Sequence, residues 1–295
     1  MSSDTGFEFS GLRAERDDRT LPDRNAFYGE QPKNHCKRAV LLLHGMTGSP
    51  FEMQQYGKKL HKADFDVFCP CLPGHGENIQ NVKEIKWQDW FNFAEEKYKE
   101  LKQSYPEVYL GGICMGAVLA LALAQKHKEV SGIIAISTTL FLNGWTIPWY
   151  SFLFPLGLHT ILRFYYSFPE REPYGIKNET VRRKISSLLK ENTIALNYIP
   201  MTCVYELLEM SGQVRKAIKD INQPVLIMHS NKDDLTSLKS ADFVYKYISS
   251  EDKEYIIFEN SYHLITMDND KDQAAQKSIE FLNNVSSFNK IPFNK

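Results

Sequence analysis

The feature that most constrains this chain is a stretch in which a short apolar run, Val108-Tyr109-Leu110, passes through Gly111-Gly112-Ile113-Cys114-Met115-Gly116-Ala117 into an apolar, alanine-rich segment at 118–125. An apolar run of that length ending at glycine reads as a buried strand, and the segment after it as a buried helix. A buried strand that turns so abruptly into a buried helix belongs in a layered α/β domain. Glycines two residues either side of Cys114 let neighbouring backbone come close and admit a strained turn. The helix that follows points its N-terminus at the cysteine, where its partial positive charge favours a thiolate or the oxyanion of an acyl intermediate. A glycine-flanked buried cysteine can also be plain packing, but its place at a strand end favours chemistry.

Strand and helix patterns alternate on both sides of this segment. Ala39-Val40-Leu41-Leu42-Leu43 reads as a buried strand ended by the loop His44-Gly45-Met46-Thr47-Gly48-Ser49-Pro50, with a helix expected at about 51–63. A second strand at 65–69 ends at Pro70, which cannot donate to a ladder. Apolar residues recurring at helical spacing predict an amphipathic helix over 86–101. Further strands are expected at 132–137, 224–229 and 255–258, with helices around 238–248 and 271–285. That order specifies an α/β class, with a mostly parallel central sheet flanked by helices. The alternation stops over 138–223. The chain therefore divides into an N-terminal extension, 1–37, with room for an edge strand; a core, 38–137 and 224–295; and an insertion, 138–223. The first part of the insertion is aromatic and the second, from about 177 to 219, is charged and helical in pattern.

The 295 residues fit one large α/β domain with an insertion. Thirty-five Lys and Arg against 36 Asp and Glu leave a net charge of -1, without the broad positive field that nucleic acid requires, so nucleic acid is not expected as a partner. The first twenty residues lack the apolar stretch of a secretory signal, and the five cysteines (Cys36, Cys69, Cys71, Cys114 and Cys203) form no zinc-type ladder. A reducing, cytoplasmic setting with free thiols is the expectation. Cys69-Pro70-Cys71 reads as packing at a strand end. Charge is absent from 130–162, a run long enough to raise the question of a membrane span, yet it contains Asn143, Gly144, Pro148, Pro155, Gly157 and His159.

A nucleophile needs a base, and the base needs an orienting acid. After the strand at 224–229 comes Ser230-Asn231-Lys232-Asp233-Asp234, which places carboxylates at a strand's carboxyl end, where α/β sites collect. After the strand at 255–258 comes Glu259-Asn260-Ser261-Tyr262-His263. A lone histidine would be an ordinary core or surface residue. Cys114, Asp233 and His263 at three strand ends, in nucleophile, acid, base order, reverse that reading. A membrane crossing within 138–162 would separate Cys114 from the other two, so the span is rejected.

On these residues the chain resembles the α/β-hydrolase superfamily, and within it the carboxylesterase and monoacylglycerol lipase-like group, over about 38–288. The resemblance is carried by LLLHGMTGSP at 41–50, PGHG at 73–76, GGICMGA at 111–117, PVLIMHSNKD at 224–233 and SYHLITMDNDKD at 261–272. It implies an α/β-hydrolase fold with a helical cap built from the insertion. It also implies an oxyanion loop introduced by His44-Gly45, with the backbone N–H groups of Met46 and Met115 as donors, and Asp233 as the acid with Asp234 as fallback. The activity implied is carboxylic ester hydrolysis, with a hydrophobic acyl ester or a thioester as the small-molecule substrate and no cofactor.

The departure is Cys114, where the family usually has serine. Three readings compete: a natural thiol nucleophile, an engineered serine replacement that impairs an esterase while leaving it able to bind acyl ligands, and a degenerate binding protein. Polyhydroxyalkanoate synthases are similar here, with an elbow cysteine, and supply acyl transfer as the alternative reaction. The aromatics Trp145, Trp149 and Phe152 are candidates for lining an acyl pocket or resting on a lipid surface, against the plainer reading of cap core. Asp268, Asp270 and Asp272 lack the glycine of a calcium loop and read as helix N-terminal acids; no metal is expected.

Overall fold

A computed structural model describes residues 25–27, 36–75, 79–149, 151, 157–190 and 196–287. The strands are Asn25–Phe27 (β1), Arg38–Leu43 (β2), Asp66–Pro70 (β3), Glu107–Ile113 (β4), Ile133–Ile136 (β5), Ser167–Pro169 (β6), Tyr198–Pro200 (β7), Val225–Ser230 (β8) and Lys253–Phe258 (β9). The helices are Gln54–Lys62 (α1), Ile79–Glu84 (α2), Trp87–Ser104 (α3), Met115–Lys126 (α4), Glu179–Lys190 (α5), Met201–Lys216 (α6), Lys239–Tyr247 (α7) and Lys271–Val285 (α8).

One sheet runs β1-β3-β2-β4-β5-β8-β9. Its six strands from β3 to β9 pair in parallel, and β1 closes one edge antiparallel to β3. This is the α/β-hydrolase arrangement the motifs implied. The expected edge strand in the N-terminal extension is β1; most of the extension lies outside the described residues. β2 and β4 are apolar without alternation because both faces are covered. Their register sets Leu42 beside Gly111 and Leu43 beside Gly112, so the loops leaving both strands emerge together.

α4 begins at Met115, three residues earlier than its apolar pattern suggested, because Cys114 itself caps it. Every residue of α4 from Met115 to Ala124 is buried, which explains a helix apolar on all faces. By contrast α3 is amphipathic, burying Trp90, Ala94, Tyr98 and Leu101 on one stripe. The expected helix at 51–63 opens with a 3-10 turn, Pro50–Met53, capped by Ser49, before continuing as α1.

Residues 138–223 leave the sheet after β5 and return at β8. Within them, β6 and β7 pair antiparallel and α5 and α6 supply the helices expected in the charged half. α6 packs on α4 and sends Leu207, Met210 and Val214 into the main core. Phe152, Tyr150 and Phe154 lie outside the described residues. No helix among the described residues is long and apolar enough to cross a membrane.

Candidate functional site

Cys114 sits between β4 and α4 with φ 57° and ψ -120°, a conformation that L residues rarely adopt. The turn is held by Cys114 N–H donating to Ile136 O at 3.1 Å and Val118 N–H donating to Cys114 O at 3.3 Å. The flanking glycines are required by contact: a Cβ on Gly112 would lie 2.3 Å from Gly116 backbone, and one on Gly116 would lie 1.9 Å from Leu43 O. The tight turn brings α4's N-terminus against β2 and leaves the sulfur at the sheet's carboxyl edge, 5 % exposed. Thr139 Oγ1, at the end of β5, lies 3.4 Å from Cys114 Sγ and donates to it.

Two neighbouring strands deliver the partners. From the loop after β9, His263 places Nδ1 2.8 Å from Oδ2 of Asp233, which stands after β8. The other oxygen of Asp233 accepts the N–H groups of Leu235 and Thr236, both at 2.9 Å. Asp234 takes a different place: its Oδ1 accepts the His263 backbone N–H at 3.2 Å, so Asp233 is the carboxylate on the ring. Burial works against a charged imidazole, but the Asp233 carboxylate and then the Cys114 sulfur outweigh it and hold His263 well above the ordinary histidine range. For Asp233, burial acts upward and is outweighed by His263, with His229 and the Thr236 amide adding to it, so the carboxyl lies below its ordinary range. Burial raises Asp234. His263 Nε2 is buried and makes no hydrogen bond among the described residues.

The loop after β2 lies beside Cys114. His44 is buried and neutral: burial, with His75 beside it, brings it down to about 3. Its Nε2 accepts Leu72 N–H at 3.0 Å, which leaves Nδ1–H to donate to Gly45 O at 2.9 Å. Met46 follows in this loop and Met115 opens α4; neither N–H finds an acceptor among the described residues.

Of the aromatic candidates, Trp145 and Trp149 are exposed, and Phe152 lies outside the described residues. Trp145, 59 % exposed, donates from Nε1 to Lys232 O and packs edge-on against Tyr262 at 5.5 Å, beside the acid and histidine loops. Trp149 is 84 % exposed.

Sequence reasoning missed four side chains. Glu52 accepts Gly45 N–H at 2.9 Å, and burial pushes it up to about 7. Thr139 contacts the sulfur, and His229 Nε2 lies 3.5 Å from Oδ2 of Asp233, the same oxygen that bonds His263. Asp268 was expected as a helix acid. Asp270 occupies the N-cap position of α8 without a side-chain cap bond, and Asp268 is fully buried, its carboxylate accepting four backbone N–H groups, those of Lys177, Asn178, Tyr262 and Asn269, at 2.7–2.9 Å. Buried polar side chains must find partners, and here they come from segments far apart in sequence. A pattern read along one strand or helix does not contain them.

Comparison with known proteins bears on the family and the fold. The family model described as serine aminopeptidase, S33 (Hydrolase_4) matches residues 34–270. The thermostable monoacylglycerol lipase of Bacillus sp. (strain H-257) is 28 % identical over 250 residues, covering 82 % of this chain and 89 % of that protein. The carboxylesterase of Bacillus subtilis (strain 168) is 25 % identical over 246 residues, covering 83 % and 92 %. Among solved structures, the monoacylglycerol lipase of Paleococcus ferrophilus superposes with a TM-score of 0.73 at 18 % identity, over 89 % of this chain and 98 % of that one, which speaks to the fold. The chain belongs to the serine aminopeptidase S33 (Hydrolase_4) family and is a hydrolase of the α/β-hydrolase superfamily.

Proposed function

We propose that the protein is a carboxylic ester hydrolase that acts on hydrophobic acyl esters through Cys114 as a thiol nucleophile. The observation that carries this reading is Cys114 in its strained turn, φ 57°, at the head of α4, with the His263–Asp233 pair beside it. His263 Nε2 takes the thiol proton as sulfur attacks the ester carbonyl, and the backbone N–H groups of Met46 and Met115 receive the oxyanion. On collapse, the C–O bond breaks and His263 returns the proton to the leaving alcohol. Water, deprotonated by His263, then attacks the thioester, releasing the acid and the thiol. Asp233 holds the ring in the tautomer this requires.

The substrate class is supported by relatives named monoacylglycerol lipase and carboxylesterase. Residues 138–223 form a cap over the site in this reading. Its exposed Trp149, Ile161, Leu162, Phe164 and Tyr165 give it an apolar face that suits a lipid surface. None of the five cysteines forms a disulfide, which fits a reducing cytoplasm, where a catalytic thiol persists.

The deciding experiment exposes the protein briefly to an activated acyl ester, measures intact mass, and compares turnover with Cys114→Ser on a panel of acyl esters. An acyl adduct on Cys114 and loss of turnover in the serine form are expected. Much higher turnover in the serine form would mark Cys114 as a replacement in a serine esterase. Product diverted from free acid by added alcohols would instead indicate acyl transfer.

A further inference from the structure

Among the acids that this mechanism leaves unused, Glu52 lies beside the nucleophile. No Lys or Arg among the described residues pairs with it. A carboxyl kept half-buried without a cation is costly, so what it touches matters. Its Oε2 accepts Gly45 N–H at 2.9 Å. A Cβ built on Gly45 would lie 3.0 Å from that oxygen and 3.4 Å from the Cβ of Cys114, so the carboxyl and the nucleophile flank one point of backbone. A Cβ on Gly48 would lie 1.8 Å from Oε1, so the carboxyl fills the hollow of the loop from Gly45 to Gly48. Thr266, three residues beyond His263, donates from Oγ1 to the Glu52 backbone O at 2.8 Å and ties the residue to the histidine loop.

Two successive peptide planes meet at Gly45. Glu52 pins the first through its N–H. The second is pinned through Gly45 O, which accepts from His44 Nδ1 at 2.9 Å and from Gly48 N–H at 3.3 Å. In a trans peptide the next N–H, that of Met46, points opposite to this carbonyl. With both planes fixed, the Met46 amide has one direction left to it.

We propose that Glu52 is a positioning residue for the oxyanion loop: by holding Gly45 N–H and filling the loop, it aims the Met46 N–H at the acyl oxygen of a substrate on Cys114. The inference rests on the reading of Cys114 as nucleophile and Met46 as donor. What Glu52 contributes is an acceptor at a fixed reach, which a glutamine amide oxygen reproduces and an aspartate, one methylene shorter, does not.

The test compares Glu52→Gln and Glu52→Asp with the parent on p-nitrophenyl butyrate, following the nitrophenol burst, steady-state kcat and KM, intact mass and melting temperature. Losing one oxyanion donor lowers kcat on the order of 10²-fold, so Glu52→Asp is expected to lose kcat and burst rate on that scale with KM little changed. Glu52→Gln, with the acceptor kept, is expected to stay within about fivefold of the parent, well inside that loss. Aspartate performing as well as glutamine overturns the inference. So does a glutamine form as impaired as the aspartate form, or a parental kcat in both. If the parent itself forms no Cys114 adduct, the reading beneath the inference fails and the inference with it. An adduct in the parent together with any of the contrary variant results sinks the role of Glu52 alone.

Discussion

At the residue scale, the site gathers carboxyls that behave differently because of what each touches. Asp233 is bonded to His263 and two amides and lies below the usual range, whereas burial pushes Glu170 up to about 7, with the carboxylates of Glu52 and Asp234 pushing it the same way. The sign for stability follows from linkage. An unfolded glutamate ionises near about 4.3, so between that pH and about 7 the unfolded chain has lost a proton that the folded chain keeps. Stability from this group therefore falls as pH rises through that window, and the full penalty is present above it. Glu170→Gln is expected to raise the melting temperature at pH about 8.5 and to leave it nearly unchanged at pH about 4, where the carboxyl is already neutral in the fold. Scanning calorimetry in the two buffers checks this; a lower melting temperature at the alkaline pH would contradict it. Asp233 has the opposite sign: its contribution is present above the unfolded pKa and is lost as pH falls through the folded one. The placement of Cys114, Asp233 and His263 at strand ends was legible in the sequence because each follows a recognisable strand. Glu52 and Thr139 were not, because their importance arises only when loops from separate strands meet.

At the scale of elements, the β4–α4 turn fixes the site through backbone contact. Gly116 lets α4 press against β2, and any side chain there meets Leu43 O, an atom that cannot swing away. Gly116→Ala is expected to destabilise the protein by about 3 kcal/mol, at the upper end of overpacking costs, and to displace Cys114 from His263 so that acylation is lost. Denaturant unfolding and the burst assay measure the two effects; a fully stable, active alanine form would show that the turn can open. Outside 138–223 and apart from the short α2, which the sequence reading did not expect, the element pattern was readable with bounds shifted by a few residues at most, since continuous apolar runs mark the parallel strands. The start of α4 was hidden because Met115, Gly116 and Ala117 look like loop chemistry, and only the cap at Cys114 makes them helical. The fine structure of 138–223 was not readable, since short strands such as β6 and β7 carry too few residues for a period.

At the scale of the whole molecule, the second half of the uncharged run at 130–162 carries exposed apolar side chains: Trp149 at 84 %, Ile161 at 69 % and Leu162 at 60 %. These side chains are expected to bind vesicles. Trp149→Ser with Leu162→Ser should weaken co-sedimentation with phosphatidylcholine–phosphatidylglycerol vesicles while leaving hydrolysis of a short soluble ester unchanged. Equal sedimentation of parent and variant would assign the face another role.

Asp268 joins two regions that are distant in sequence. The amides of Lys177 and Asn178 come from the segment between β5 and β8, and that of Tyr262 from the residue before His263, yet all end on one carboxylate together with Asn269. In hydrogen–deuterium exchange these protons should not behave as four local reporters. Displacing the Asp268 carboxylate removes the acceptor from all four at once, so their protection should rise and fall together, with a common opening free energy and a common response to denaturant. Tyr262 would then report, from beside His263, each excursion of the segment that holds Lys177 and Asn178.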